Sequence, residues 1–197
     1  MESEKKELHE RIEKLQRELE VLRKRNEVLE KLCVTDELTG LYNQRHFWDT
    51  LGQEVAEHEK QQRPLCLLLF DIDDLKTYND TYGHLGGDNV LKGIAQSVTE
   101  NLKLETDASG YRYGGDEFAV ILPEARVEQA VETAKRINQG LRDAGLNNVN
   151  LSFGIAELSS EMDSRTLFRH ADDAMYMAKR GRGAKLETTV GKIYVYD

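Results

Sequence analysis

Two clusters of carboxylates stand where the chain pattern turns from apolar to polar. Asp71-Ile72-Asp73-Asp74 closes the run that begins at Leu65, and Gly114-Gly115 leads directly into Asp116-Glu117. If the two segments lie side by side in a sheet, Asp71 and Asp116 converge at one rim. Carboxylates gathered in that way repel one another and shift their pKa values unless cations sit between them. Mg²⁺ suits such a rim, because it prefers hard oxygen ligands and is readily shared between carboxylates and phosphates. A pair of these ions activates an attacking oxygen and steadies a leaving one. Each cluster has a simpler reading as well. An Asp at a strand end caps the helix that follows, and Gly-Gly between strands makes a turn. A calcium-binding EF-hand loop is excluded, since Asp71-Ile72-Asp73 lacks the Gly and the later Glu at the required offsets.

The elements that must carry these residues follow from periodicity. Residues 65–72 are apolar enough for a strand buried on both faces. A helix is predicted from near Asn43 to Lys60, stopped before Pro64, and another from about Gly87 to Leu102. Gly110–Tyr113 and Asp116–Leu122 read as strands joined at Gly114-Gly115. That spacing predicts a type I′ hairpin turn, with positive φ at both glycines. A helix over 126–144 should end at Gly145, followed by a strand over 149–157, a helix over 164–180 and an edge strand at Lys192–Tyr196. The order β-α-β-β-α-β with additions gives an α/β (α+β) fold, a ferredoxin-like sandwich whose antiparallel-containing sheet is flanked by helices. Internal repeats and low-complexity tracts are absent.

The N-terminus is organised differently. Its first 35 residues contain no Gly or Pro and are dense in Glu, Lys, Arg and Leu. Leu8, Leu15, Leu22 and Leu29 fall on d positions of a heptad frame, and Ile12, Leu19, Asn26 and Cys33 on a positions. An Asn at an a position fixes the register of a parallel dimer. Glu18 would face Arg23 of the second helix, and Arg25 would face Glu30. The stripe is narrower than a helix packing on its own domain needs, although Val21, Val28 and Leu32 lie off it. The expected organisation is a parallel dimeric coiled coil over residues 1–34 and a catalytic domain over 35–197.

Composition sets the outer bounds. The chain has 197 residues, 39% of them hydrophobic and 32% charged, as in folded soluble domains. No apolar run approaches the roughly 20 residues of a membrane span. A net charge of −9 argues against nucleic-acid binding, which needs clustered Lys and Arg. Cys33 and Cys66 have neither the spacing of a zinc site nor that of a disulfide framework. They read as reduced thiols of a cytoplasmic protein.

Four separated motifs stand in order: Asp36-Glu37-Leu38-Thr39-Gly40-Leu41-Tyr42-Asn43; Phe70-Asp71-Ile72-Asp73; Lys76, Asn79-Asp80, Gly83-His84 and Gly87-Asp88; and Arg112-Tyr113-Gly114-Gly115-Asp116-Glu117-Phe118. Over residues 35–185 the chain strongly resembles the GGDEF family of diguanylate cyclases. The resemblance implies a nucleotidyl-cyclase palm. It also implies condensation of two GTP, one on each domain of a transient antiparallel catalytic dimer, to cyclic di-GMP and two pyrophosphates. By matching motif positions, Asp71, Asp116 and the Ile72 carbonyl would bind two Mg²⁺, or Mn²⁺ in its place, with Glu117 coordinating or orienting waters. Asp116 is also the family's candidate for taking the 3′-hydroxyl proton. Asn79 and Asp88 would read guanine. The backbone amides of Asp73, Asp74 and Leu75, with Lys76 and Lys179, would hold the phosphates. An Arg beyond Lys179 would assist.

Two departures from the family pattern stand out. Ala178-Lys179-Arg180-Gly181-Arg182-Gly183 is one residue shorter than the usual Lys-to-Arg spacing, which leaves open whether Arg182 or Arg180 reaches phosphate. The product-binding Arg-x-x-Asp motif has no Arg here. Leu104-Glu105-Thr106-Asp107 occupies the stretch, so no product-inhibition site is expected. The functional expectation is an active cyclase tethered by its coiled coil. The alternative is a catalytically silent GTP-binding regulatory module.

Overall fold

The computed structural model describes residues 9, 11–24, 34–105, 107–160, 162–181, 186–188 and 191–195. The chain divides into two units, Met1–Thr35 and Asp36–Asp197. In the first, residues 11–24 form helix α1. Ion pairs one turn apart run along it, Arg17 with Glu13 at 3.7 Å and Lys24 with Glu20 at 3.4 Å, and each supports the helix by a few tenths of a kcal/mol. Ile12, Leu15, Leu19 and Leu22 of the expected seam are all exposed. Leu8, Asn26, Leu29 and Cys33 lie outside the described residues. No helix among the described residues is long and apolar enough to cross a membrane.

The second unit is built on seven strands: β1 (Tyr42–Asn43), β2 (Leu65–Ile72), β3 (Ser109–Arg112), β4 (Glu117–Pro123), β5 (Leu151–Glu157), β6 (Leu186–Thr188) and β7 (Gly191–Val195). They lie in the order β1-β3-β4-β2-β5-β7-β6. Contacts of β2 with β4 and β5, and of β3 with β4, are antiparallel. The four strands β3-β4-β2-β5 therefore have the ferredoxin-like arrangement expected from the element order. Four helices cover the sheet: α2 (Gln44–Gln61), α3 (Leu75–Leu102), α4 (Val127–Asp143) and α5 (Ser164–Lys179).

Side-chain alternation along β2 distributes the core between two faces. Cys66, Leu68, Phe70 and Ile72 pack with residues of α3 and α4, where Phe70 stacks on Phe118 with ring centroids 5.3 Å apart. Leu65, Leu67 and Leu69 pack with Phe47, Leu51 and Val55 of α2 and with Leu167, Ala171 and Met175 of α5. Asp71 continues this second row, so alternation alone sends its side chain toward the α5 face. Burial pushes the Cys66 thiol up and leaves it inert.

Three expectations need correction. Helix α3 starts at Leu75 instead of Gly87, because two helices meet across a kink at Gly83, φ 76° and ψ 165°. The glycine-rich, polar stretch around that kink hides the periodicity, while Leu75 and Tyr78 find support against the core. The Gly114-Gly115 connection is not a type I′ turn. Neither glycine is among the positive-φ residues, and both Tyr113 N and Gly114 N donate to the Glu117 carbonyl, at 2.8 and 3.1 Å. Finally, β7 is not an edge strand. It runs parallel to β5, and β6 covers its outer side. β1 and β6 were not anticipated from the sequence, being too short to show a period.

Candidate active site

Asp71, the last residue but one of β2, lies opposite Glu117 of β4 and Ser152 of β5. The Ile72 amide reaches the Asp116 carbonyl at 3.4 Å, which ties the strand end to the turn. Sheet register thus places the Asp71 and Glu117 side chains on one face, with Asp116 beside them. Asp71 is only 4% exposed. Burial pushes its carboxyl up to about 6, against the hydrogen bond and charge of Lys179, and the negative charges of Asp116 and Glu117 push it in the same direction. Lys179 Nζ lies 2.6 Å from Asp71 Oδ2. The other oxygen, Oδ1, is buried without a hydrogen-bond partner.

Lys179 arrives there because α5 lies unusually close to β5. A Cβ on Gly154 would come within 2.1 Å of the Ala171 carbonyl and 2.2 Å of the Met175 amide. One turn beyond Met175, Lys179 projects along the same helix face toward the strand ends. Arg180 caps the helix, and its guanidinium lies 4.5 Å over the Tyr176 ring. That position answers for Arg180, which is stacked on its own helix. Arg182 lies outside the described residues.

The segment expected to face phosphate departs from that expectation at one residue. The Asp73 amide donates to the Asn150 carbonyl at 2.9 Å, and its carboxylate accepts from Ser152 Oγ at 2.7 Å. That amide is therefore part of the sheet ladder and is not available to an anion. Asp74 is left-handed, φ 57° and ψ 31°, and its side chain does not cap α3. The Asp74 and Leu75 amides at the start of α3 are the ones suited to an anion, with Lys76 exposed beside them.

Asn79 and Asp88 sit on opposite sides of the Gly83 kink. Asn79 lies so close over Gly87 that a Cβ there would meet its Oδ1 at 1.9 Å. Asp88 is the following residue. The Asn79 Oδ1 atom is buried with no hydrogen-bond partner, as a group reserved for a ligand would be. The kink therefore brings Asn79 against Gly87, the residue that precedes Asp88.

A clamp built from Asp36, Thr39 and Arg112 holds the turn. Asp36 accepts from Thr39 N at 2.9 Å, from Thr39 Oγ1 at 2.6 Å, and from Arg112 Nη1 at 3.1 and 3.2 Å. The same guanidinium donates to the Gly115 carbonyl, from Nη2 at 2.7 Å and from Nε at 3.2 Å. Burial alone would raise the Asp36 carboxyl, but the bonds from Thr39 and Arg112 outweigh it and hold the carboxyl below its usual range. This clamp replaces the glycine dihedrals as the reason for the turn's shape. Asp36-x-x-Thr39 and a lone Arg inside an otherwise uncharged strand were the available signals.

Among the described residues, no group of three or more His, Cys, Asp or Glu side chains is arranged to hold a metal ion. Asp71, Asp116 and Glu117 are gathered but not closed into a cage, and the Lys179 ammonium occupies one Asp71 oxygen. In the stretch Leu104–Asp107, the Glu105 carboxylate is engaged by Arg136 and by Thr133 Oγ1.

A palm-like sheet with carboxylates at the end of its central strand, and a kinked helix beside them, is the architecture of a nucleotidyl cyclase. Residues 33–185 match the model of the family described as diguanylate cyclase, GGDEF domain, and the chain belongs to that family. It is 35% identical over 152 residues to the diguanylate cyclase DosC of Escherichia coli, covering 74% of this chain and 33% of that protein. It is 35% identical over 164 residues to the response regulator PleD of Caulobacter vibrioides, covering 78% and 36%. The chain thus spans about a third of the length of these curated relatives. Among solved structures it is similar to the coiled coil and GGDEF domain of DgcB from Caulobacter crescentus, which was solved in complex with c-di-GMP. There the TM-score is 0.80 at 28% identity, over 95% of this chain and 98% of that one.

Proposed function

We propose that this chain is a diguanylate cyclase, converting two GTP into cyclic di-GMP and two pyrophosphates in a domain dimer held together by its N-terminal coiled coil. The observation that carries the reading is the buried, incompletely partnered Asp71, flanked by Asp116 and Glu117 at the end of β2. A carboxylate kept dry beside two others is costly unless cations are supplied. The donor set fits Mg²⁺ or Mn²⁺: Asp71, Asp116 and the Ile72 carbonyl are hard oxygen ligands, with Glu117 alongside. Two such ions would neutralise the triphosphate and polarise the reacting oxygens.

The chain's own residues do the rest. Asn79 and Asp88 orient the base, since a carboxylate accepts from guanine N1–H and the exocyclic amine while adenine offers no such pair. The Asp74 and Leu75 amides, Lys76 and Lys179 fix the phosphates, so that catalysis is largely positioning and charge neutralisation. Asp116, Glu117 and Lys76 are the residues placed nearest the chemistry. One domain holds half of the reacting atoms. The two halves must meet face to face, and a tether through Leu8, Ile12, Leu15, Leu19, Leu22, Asn26 and Leu29 raises their effective concentration. No product-binding role is proposed for Leu104–Asp107, whose one acid in contact with an Arg is Glu105, already taken by Arg136.

The test is incubation with GTP and Mg²⁺, with pyrophosphate and cyclic dinucleotide measured together and with ATP run in parallel. Cyclic di-GMP from GTP alone is the expected result. Tight GTP binding with no pyrophosphate would instead establish the silent regulatory module, the alternative that the shortened Lys179–Arg182 spacing leaves open.

A further inference from the structure

Asp71 is a carboxylate that the fold has taken out of water, and a cation of the chain itself is in contact with it. Lys179 meets one oxygen at 2.6 Å, while the other is buried and unpartnered. The two partners are unequal in freedom. The Lys179 side chain is 37% exposed and that of Asp71 only 6%, so the ammonium can swing away while the carboxylate, anchored in β2, stays. The same ammonium is assigned above to the triphosphate. It cannot serve both partners fully, and the two are needed at different moments.

We infer that Lys179 is an exchangeable counter-ion, which neutralises Asp71 before substrate arrives and passes to the triphosphate on binding, so that divalent cations enter with nucleotide and not alone. The inference rests on the proposed function and adds a selectivity step to it. A bare divalent ion approaching Asp71 must either drive the ammonium into water, losing a close ion pair, or settle beside another positive charge. An ion arriving with a nucleotide brings a polyanion that accepts the displaced ammonium, so the lost charge-assisted hydrogen bond is replaced by another. Linkage then requires metal and nucleotide each to tighten the other. In this scheme Lys179 is a positioning and specificity residue whose effect is visible without turnover.

The experiment counts free Mn²⁺ by electron paramagnetic resonance in the presence of the full chain. It is done with Mn²⁺ alone and with a GTP analogue whose α–β bridge is a non-cleavable methylene. The wild type should bind Mn²⁺ weakly alone and about tenfold or more tighter with the analogue. Lys179→Met, which keeps the chain length and removes the charge, should bind Mn²⁺ alone about tenfold more tightly than the wild type and lose most of the analogue's effect. Lys179→Arg should retain the wild-type order, and Asp71→Asn should abolish the increment and so separate this site from other weak Mn²⁺ sites. A Lys179→Met variant that binds Mn²⁺ alone no more tightly than the wild type would overturn the inference. So would a wild type that binds Mn²⁺ measurably and equally with and without the analogue, a comparison that stands even if the Met variant does not fold. Failure of the proposed function has a different signature: no Mn²⁺ bound even with the analogue, and no pyrophosphate from GTP.

Discussion

Two carboxylates flank the Gly114–Glu117 turn, and the fold treats them in opposite ways. Asp36 is given several partners, and both of its oxygens are engaged. Two bonds from Thr39 and a paired contact from Arg112 hold its proton affinity down. Asp71 is buried more deeply, is paired among the described residues with one lysine, and is flanked by like charges; burial above all pushes its carboxyl up to about 6. The first arrangement makes a rigid joint, because a charge bonded through both oxygens resists movement. The second keeps a site in waiting for cations. Engagement of both oxygens marks structure here, and partial satisfaction marks function.

The largest effect should come from removing the charge at the unsatisfied position. Asp71→Asn is expected to cut cyclic di-GMP formation by about a hundredfold or more, while stabilising the nucleotide-free protein by on the order of 1–3 kcal/mol at neutral pH. The sign follows from the raised carboxyl. The folded state holds the Asp71 proton more tightly than the unfolded state, whose carboxyl titrates near 3.8. Stability from this group is therefore full below that value and is lost as pH rises through about 6. Melting curves should show the advantage of the variant over wild type growing from about pH 4 to pH 6 and then levelling. A variant that melts below the wild type throughout would break the contrast.

Asp36→Asn should behave in reverse. It is expected to lower stability by about 1–3 kcal/mol at neutral pH. The deficit should vanish as pH falls through the depressed carboxyl of the wild type, since a lowered folded pKa contributes only while the group is ionised. Because Arg112 also holds the Gly115 carbonyl, kcat should fall by roughly tenfold with little change in KM for GTP. Steady-state kinetics on Asp36→Asn and Arg112→Lys check this. An unchanged kcat would reduce the clamp to a purely structural joint.

Gly87→Ala tests the base pocket, away from both acids. Its Cβ would lie 1.9 Å from Asn79 Oδ1, so the amide must move. KM for GTP should rise by about tenfold, with kcat at saturation nearly kept. Equal loss in both constants would place Asn79 in the reacting centre instead. The smallest effect concerns the tether. Deletion of residues 1–33 should lower specific activity at low protein concentration and restore it at high concentration. Activity independent of concentration in both forms would remove the tether role.

Much of the scaffold was legible beforehand because it rests on local regularities. The apolar run from Leu65 to Ile72, the helix capped by Asn43 and the helix capped by Asp163 have the boundaries or starts that alternation and capping chemistry suggest. Where local signals were weak, long-range packing decided. The stretch from Leu75 to Gly87 carries three glycines and looks like a loop, yet Leu75 and Tyr78 against the core hold its first turns helical up to the Gly83 kink. Gly114-Gly115 resembles a two-residue turn, yet an arginine fixed from outside the turn sets its shape.

By itself the sequence determined which chemical groups are present and roughly which strand or helix carries them, because side-chain type and periodicity are local properties. It also determined the heptad spacing over the first residues. The tertiary structure alone decided that Asp71 is dry and half-partnered, that the Asp73 amide is spent on Asn150, and that Lys179 reaches Asp71. Those outcomes depend on how closely α5 can lie on β5 and on how much water is excluded when it does. Proton affinity and ion pairing follow burial and proximity, and both arise only when segments far apart in the chain are packed together.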